Sequence, residues 1–175
     1  MLLSTLAVVA YPTLAERDRQ WVESVRASHD PQAARLSAHF TYVFPTVLSA
    51  PALVDHVTVV AARFRTIPFV IRRAIAFRDP IAGKSHVFLT PDEGRDSMIA
   101  LHDGLYGEVL QVHLRRDVPF EPHITVATIE DFGAAEGLAH AMNGAFPTIR
   151  GVVNALDVVE IEPTVVRTIR SVPLT

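Results

Sequence analysis

The chain has no cysteine. That absence removes disulfide frameworks, thiolate metal sites and a cysteine nucleophile together. Lysine is almost missing as well: Lys84 is the only one, the other basic residues are arginines, and no function follows from this. There is no excess of positive charge, with 16 basic against 19 acidic residues and a formal net charge of −3. A long nucleic-acid footprint is therefore not expected, although a few local groups suffice for a small anionic ligand or an RNA end. No stretch approaches the roughly 20 apolar residues of a membrane helix. The apolar start, Met1–Ala10, lacks the basic region of a secretory signal and runs straight into Tyr11-Pro12, so it reads as a buried first strand of a cytoplasmic protein. What is present is core material. The 175 residues are 49% hydrophobic and 20% charged, which suits one compact domain over 1–175, or two small lobes sharing a core. No Ser- or Gly-rich linker divides them.

Local patterns predict alternating strands and helices. Leu2–Tyr11 reads as a strand. Thr13-Leu14-Ala15-Glu16 fits a capping box opening a helix with Leu14, Trp21, Val22 and Val25 on one face. That helix should end near His29-Asp30-Pro31. Ala38–Phe44 reads as a strand stopped by Pro45. Ser49 and Pro51 open a second helix, with Leu53, Val57, Val60, Ala61 and Phe64 at helical spacing. Phe69–Phe77 and His86–Thr90 read as strands around a turn at Asp79-Pro80 and Gly83. Thr90-Pro91-Asp92-Glu93 fits a second capping box, with its helix running to about His102 and stopping at Gly104. Residues 105–120 carry no clear pattern. His123–Ala127 is a strand, Asp131 begins a helix that ends near Gly144, and Val152–Ile161 and Val165–Val172 close the chain as strands around Pro163. The order is β-α-β-α-β-β-α-β-α-β-β.

Two segments share one pattern. His39-Phe40-Thr41-Tyr42 opens a strand and His56 follows on a helix; His123-Ile124-Thr125-Val126 opens a strand and His140 follows at the same spacing on a helix. This suggests two similar lobes. Within a strand, residues i and i+2 point to one face, so His39 projects with Thr41 and His123 with Thr125. If the lobes bring these strands together, two imidazoles and two hydroxyls meet in one cleft. Such a set is equipped to open a phosphodiester. One imidazole takes the proton of the attacking group and the other protonates the leaving oxygen, since histidine titrates near neutrality. The threonine hydroxyls donate to the non-bridging oxygens as charge shifts onto them. No metal or cofactor enters this scheme.

A third match to the same letters, His56-Val57-Thr58-Val59, falls inside a helical pattern, where i and i+2 lie about 200° apart and share no face. Gly83-Lys84-Ser85 resembles the end of a phosphate loop, but Arg78 stands where its first glycine is required, and the stretch lies between two strands. His29, His86, His102 and His113 show no metal-ligand spacing. Asp92, Glu93 and Asp96 suit a helix start. Tyr11, Tyr106, Phe44 and Phe69 are candidates to stack on a base, with core packing the simpler role. Arg150 and Arg170 are candidates to steer phosphate, with surface ion pairs the simpler role.

The two motifs, His39-Phe40-Thr41-Tyr42-Val43-Phe44-Pro45 and Phe120-Glu121-Pro122-His123-Ile124-Thr125-Val126-Ala127, resemble those of the 2H phosphoesterase superfamily, which includes the LigT-like 2′-5′ RNA ligases and the 2′,3′-cyclic phosphodiesterases. The proline directly before the second motif strengthens the likeness, and the order of elements fits over nearly the whole chain. The resemblance implies an α+β fold that is bilobal, with two antiparallel sheets and flanking helices around a central cleft, the lobes related by a pseudo-twofold. It also implies metal-independent cleavage or transfer at 2′,3′-cyclic or 2′-5′ phosphodiesters, with His39 and His123 catalytic and Thr41 and Thr125 binding phosphate. The expected substrate is a small nucleotide or an RNA terminus, and the expected state a monomer. The alternative is a nucleotide- or RNA-end-binding module on the same fold without turnover.

Overall fold

A computed structural model describes residues 4–175, so the start of the expected first strand, at Leu2 and Leu3, lies outside the described residues. The elements run β1 (Ser4–Ala10), β2 (Thr13–Leu14), α1 (Glu16–His29), β3 (Phe40–Leu48), α2 (Ala50–Ala61), β4 (Ile67–Arg78), β5 (Ser85–Glu93), α3 (Arg95–Leu105), a 3₁₀ turn (Glu108–His113), β6 (Ile124–Ile129), α4 (Phe132–Asn143), β7 (Ile149–Val153), β8 (Ala155–Ile161) and β9 (Val166–Pro173). The class is α+β, as expected. Where two sheets were expected, the strands form one nine-stranded antiparallel sheet in the order β2-β7-β4-β5-β6-β3-β1-β8-β9. Its two wings meet between β3 and β6 through a single register, Phe40 opposite Ile124. Both side chains are buried, and Phe40 packs edge-to-face on Phe69 at 5.2 Å.

Both expected capping boxes give way to sheet pairing. Thr13 and Leu14 pair with Val152 and Gly151 of β7, so α1 starts at Glu16 behind Ala15, with no side-chain cap. Pro91 and Glu93 remain in β5, opposite Ile71 and Val70, with a register shift between them. An irregularity of this kind tolerates a proline that has no N–H to donate. The turn into α3 is then made by Gly94 at φ +83°, where a Cβ would collide with the Pro68 carbonyl. Pro45 likewise does not end its strand: β3 continues to Leu48, and Pro45 sits in the shift between Val43 opposite Val8 and Thr46 opposite Leu6. The neighbouring Phe44 N–H, left without a ladder partner there, donates to the Tyr106 hydroxyl at 3.1 Å. The expected strand from Val152 starts earlier and breaks at Asn154 into β7 and β8.

The remaining elements follow their signals. Trp21 and Val25 of α1 pack on the core around buried Val22, and Leu53, Val57, Val60 and Ala61 of α2 are buried in it. Asp131 caps α4 by accepting from the Ala134 N–H at 2.7 Å. Among the described residues no helix is long and apolar enough to cross a membrane.

Candidate active site

The register between β3 and β6 determines the site. In an antiparallel pair, residues flanking a matched position face each other on one side of the sheet. With Phe40 opposite Ile124, Thr41 stands across from His123 and His39 across from Thr125. The four polar side chains occupy the face opposite to buried Phe40 and Ile124. Directly opposed Cβ atoms in such a block lie about 5 Å apart and diagonal ones roughly 7–8 Å. Thr41, His123 and Thr125 line a cleft of about 440 Å³. His39 is not part of its wall. It stands beside Tyr11, edge-on at 6.2 Å, and its charge is felt by His123.

Both histidines precede their strands by one residue, and both rings are fixed in the same way. His39 Nδ1–H donates to the Ser37 carbonyl at 2.8 Å, and His123 Nδ1–H donates to the Glu121 carbonyl at 2.7 Å. A carbonyl only accepts, so the proton lies on Nδ1 and the lone pair on Nε2. Burial lowers the pKa of His39, opposed by its bond to Ser37. Burial also drives His123 down, to about 4. Both rings are therefore neutral near pH 7 in the free protein.

Supports that are invisible in local sequence surround them. The register of β5 on β6 places Phe88 opposite Thr125, and its ring stacks on His123 with centroids 3.8 Å apart. His86 and Phe77 stack on Phe88 in turn, at 5.6 and 5.1 Å. A bulge between Val87 and Phe88 turns Thr128 toward His86, whose Nδ1 lies 3.1 Å from the Thr128 hydroxyl. The segment leading to His123 is tied by Glu121, which takes a two-pronged bond from Arg95 at 2.7 and 2.6 Å. Behind His39 lies a buried charge cluster on α1. Fully buried Arg26 donates to Asp30 and Glu23, both at 3.0 Å, and Glu23 in turn accepts from the Ala38 N–H at 2.6 Å, one residue before His39.

Also in the cleft wall, His102 lies flat on Phe120. Arg115 supplies a guanidinium there and is bonded to Asp117 at 2.8 Å. Of the base-stacking candidates, Phe44 and Tyr106 line the cleft, Tyr11 borders His39, and Phe69 is core. Arg150 and Arg170 are not in the cleft wall. His56 is buried on α2 with Nε2 on the Leu105 carbonyl at 2.7 Å, while Thr58 faces outward. The third match to the motif is thus a structural histidine. Among the described residues no three His, Asp or Glu side chains are grouped to hold a metal ion. The period-2 pattern of β5 held the signal for His86 and Phe88, but only the strand order shows that β5 borders β6.

Comparison with known proteins bears out the fold. Among solved structures the chain resembles apo E. coli LigT, at 20% identity over 100% of this chain and 99% of that one, with a TM-score of 0.58. It also resembles TT0787 of Thermus thermophilus, at 18% identity over 97% of each chain and a TM-score of 0.63. Usb1 of Kluyveromyces marxianus shares the fold at 9% identity, over 98% of this chain and 99% of that one, with a TM-score of 0.54. No curated protein sequence matches significantly. The family model of the 2′-5′ RNA ligase superfamily matches residues 13–164, a span that contains both His-x-Thr motifs and the strands that join them, and the chain belongs to that superfamily.

Proposed function

We propose that the chain is a metal-independent phosphodiesterase acting on 2′,3′-cyclic or 2′-5′ phosphodiesters of a nucleotide or an RNA end. The observation that carries this reading is the Phe40–Ile124 register, which sets two imidazoles, with no Nε2 partner among the described residues, beside two hydroxyls. One Nε2 takes a proton from water. The resulting hydroxide bonds to phosphorus, the P–O bond to a ribose oxygen breaks, and that oxygen receives a proton from the other imidazole in its protonated form. Thr41 and Thr125 donate to the non-bridging oxygens as they gain charge. A bound phosphodiester anion favours the imidazolium this step needs, offsetting the burial that keeps both rings neutral in the free protein. One chain supplies all four groups, so a monomer suffices, and the cytoplasm is the proposed place of action. E. coli LigT has been solved with 3′-AMP and with phosphate, which supports a nucleotide monophosphate as product.

The test is turnover of 2′,3′-cyclic nucleotides and a 2′-5′-linked dinucleotide in EDTA. Activity that survives EDTA and vanishes in His39→Ala and His123→Ala is expected. Loss of activity in EDTA would overturn the metal-independent scheme. Nucleotide binding without turnover would make the chain a binding module.

A further inference from the structure

The cleft contains a histidine that the phosphoryl chemistry does not use. His102 of α3 is only 5% exposed, yet it lines the same cleft as Thr41, His123 and Thr125. Its ring is clamped. Phe120 lies on one face with centroids 3.9 Å apart and planes 5° from parallel, and Tyr106 tilts against it at 4.8 Å. Its Nδ1 is 3.0 Å from a carboxylate oxygen of Asp103. A carboxylate only accepts, so Nδ1 carries the proton and Nε2 is left as an acceptor. Burial keeps the ring neutral near pH 7 against the pull of Asp103. Among the described residues Nε2 has no hydrogen-bond partner.

An acceptor in the cleft wall that no protein donor engages is open to a ligand that brings a donor. A neutral acceptor does not attract phosphate, so the other end of the substrate belongs here. Phe44, Leu114, Pro119 and Phe120 offer that end apolar surface in the same cleft. His86, the other unassigned imidazole of the cleft, does not discriminate in this way. Its Nδ1 faces a hydroxyl, which either donates or accepts.

Building on the proposed phosphodiesterase reading, we propose that His102 is a specificity-determining residue whose Nε2 accepts a hydrogen bond from the exocyclic amino group of a nucleobase, making nucleotides whose base carries such a group preferred over uridine nucleotides. Uracil has no amino group, and either of its carbonyl oxygens would leave two acceptors facing each other. The pairing works through the locked tautomer, so it discriminates by the presence of the amino group rather than by ring size.

Calorimetric binding of adenosine 3′-monophosphate and of purine riboside 3′-monophosphate, which lacks the amino group, tests this directly on the full chain. The wild type should bind the adenosine compound about tenfold more tightly. In His102→Phe, which keeps a flat ring on Phe120, the ratio should fall to about one. The wild-type ratio alone decides the matter if that variant does not fold. Equal affinities in the wild type, a ratio unchanged in a folded His102→Phe, or no binding of either compound would each overturn the proposal. A binding ratio that holds while cyclic substrates are not turned over would sink the enzymatic reading and leave the role of His102 standing.

Discussion

His39 and His123 enter the site alike, each one residue ahead of a strand and each tied through Nδ1 to the carbonyl two residues back. The ground behind them differs. Behind His39 are charges: burial lowers its proton affinity most, and beyond it Arg26 lowers it while Asp30 and Glu23 raise it. Behind His123 is an aromatic stack of Phe88, His86 and Phe77, and burial holds that ring down at about 4. Burial lowers the proton affinity of both rings, but the same motif sits in an ionic setting at His39 and in an apolar one at His123.

The largest effect should come from removing either ring. His39→Ala or His123→Ala should lower kcat by roughly 10²–10⁴-fold, with the double variant little worse than either single one because the two act as a unit. Additive losses, measured by initial rates on a cyclic nucleotide, would break the pairing. On the ionic side, Arg26→Leu strands two carboxylates, one almost fully buried and one partly so. It should cost about 3–5 kcal/mol in urea denaturation; a cost under about 1 kcal/mol would mean that water already reaches the cluster. On the aromatic side, Phe88→Leu should lower kcat by about tenfold through loss of the stack that orients His123, and should move the pH profile of kcat/KM toward higher pH as water reaches the ring. An unmoved profile would deny the stack any part in the acidity of His123.

The smallest effect concerns stability. His123 binds its proton near 6.5 when exposed and near 4 in the fold, so the unfolded chain holds more protons between those values. Its contribution is therefore complete above pH 6.5 and is lost as pH falls toward 4. Thermal melts should show Tm falling over that window, with a shallower fall in His123→Asn. An equal slope in the variant would place the acid sensitivity elsewhere.

The sequence exposes whatever is local and periodic. His-x-Thr before a strand is such a feature, and so is the helical stripe of α2 that excludes His56 from the site. What escapes is set by partners distant in the chain. Thr13-Leu14 and Pro91-Glu93 carry good helix-cap letters, but sheet partners at Val152 and at Val70 and Ile71 take them instead. Pro45 looks like a stop because proline cannot serve a regular ladder, and the register shift that excuses it comes from β1. His86 and His102 have no telling spacing along the chain, yet the fold brings both to the cleft wall. Arg26 reads as an ordinary surface charge on α1 until Glu23 and Asp30, one helical turn away on either side, are seen to enclose it.

The one matched pair that joins the two wings, Phe40 with Ile124, gives the molecule a built-in proofreader. A slip of one residue at this seam would carry the whole side-chain set of one strand to the opposite face, dismantling the site while leaving most of the sheet, and its far-ultraviolet signature, intact. On the proposed reading, turnover thus reports correct assembly more strictly than any measure of secondary structure, and a preparation that is folded yet silent should be examined first at that seam.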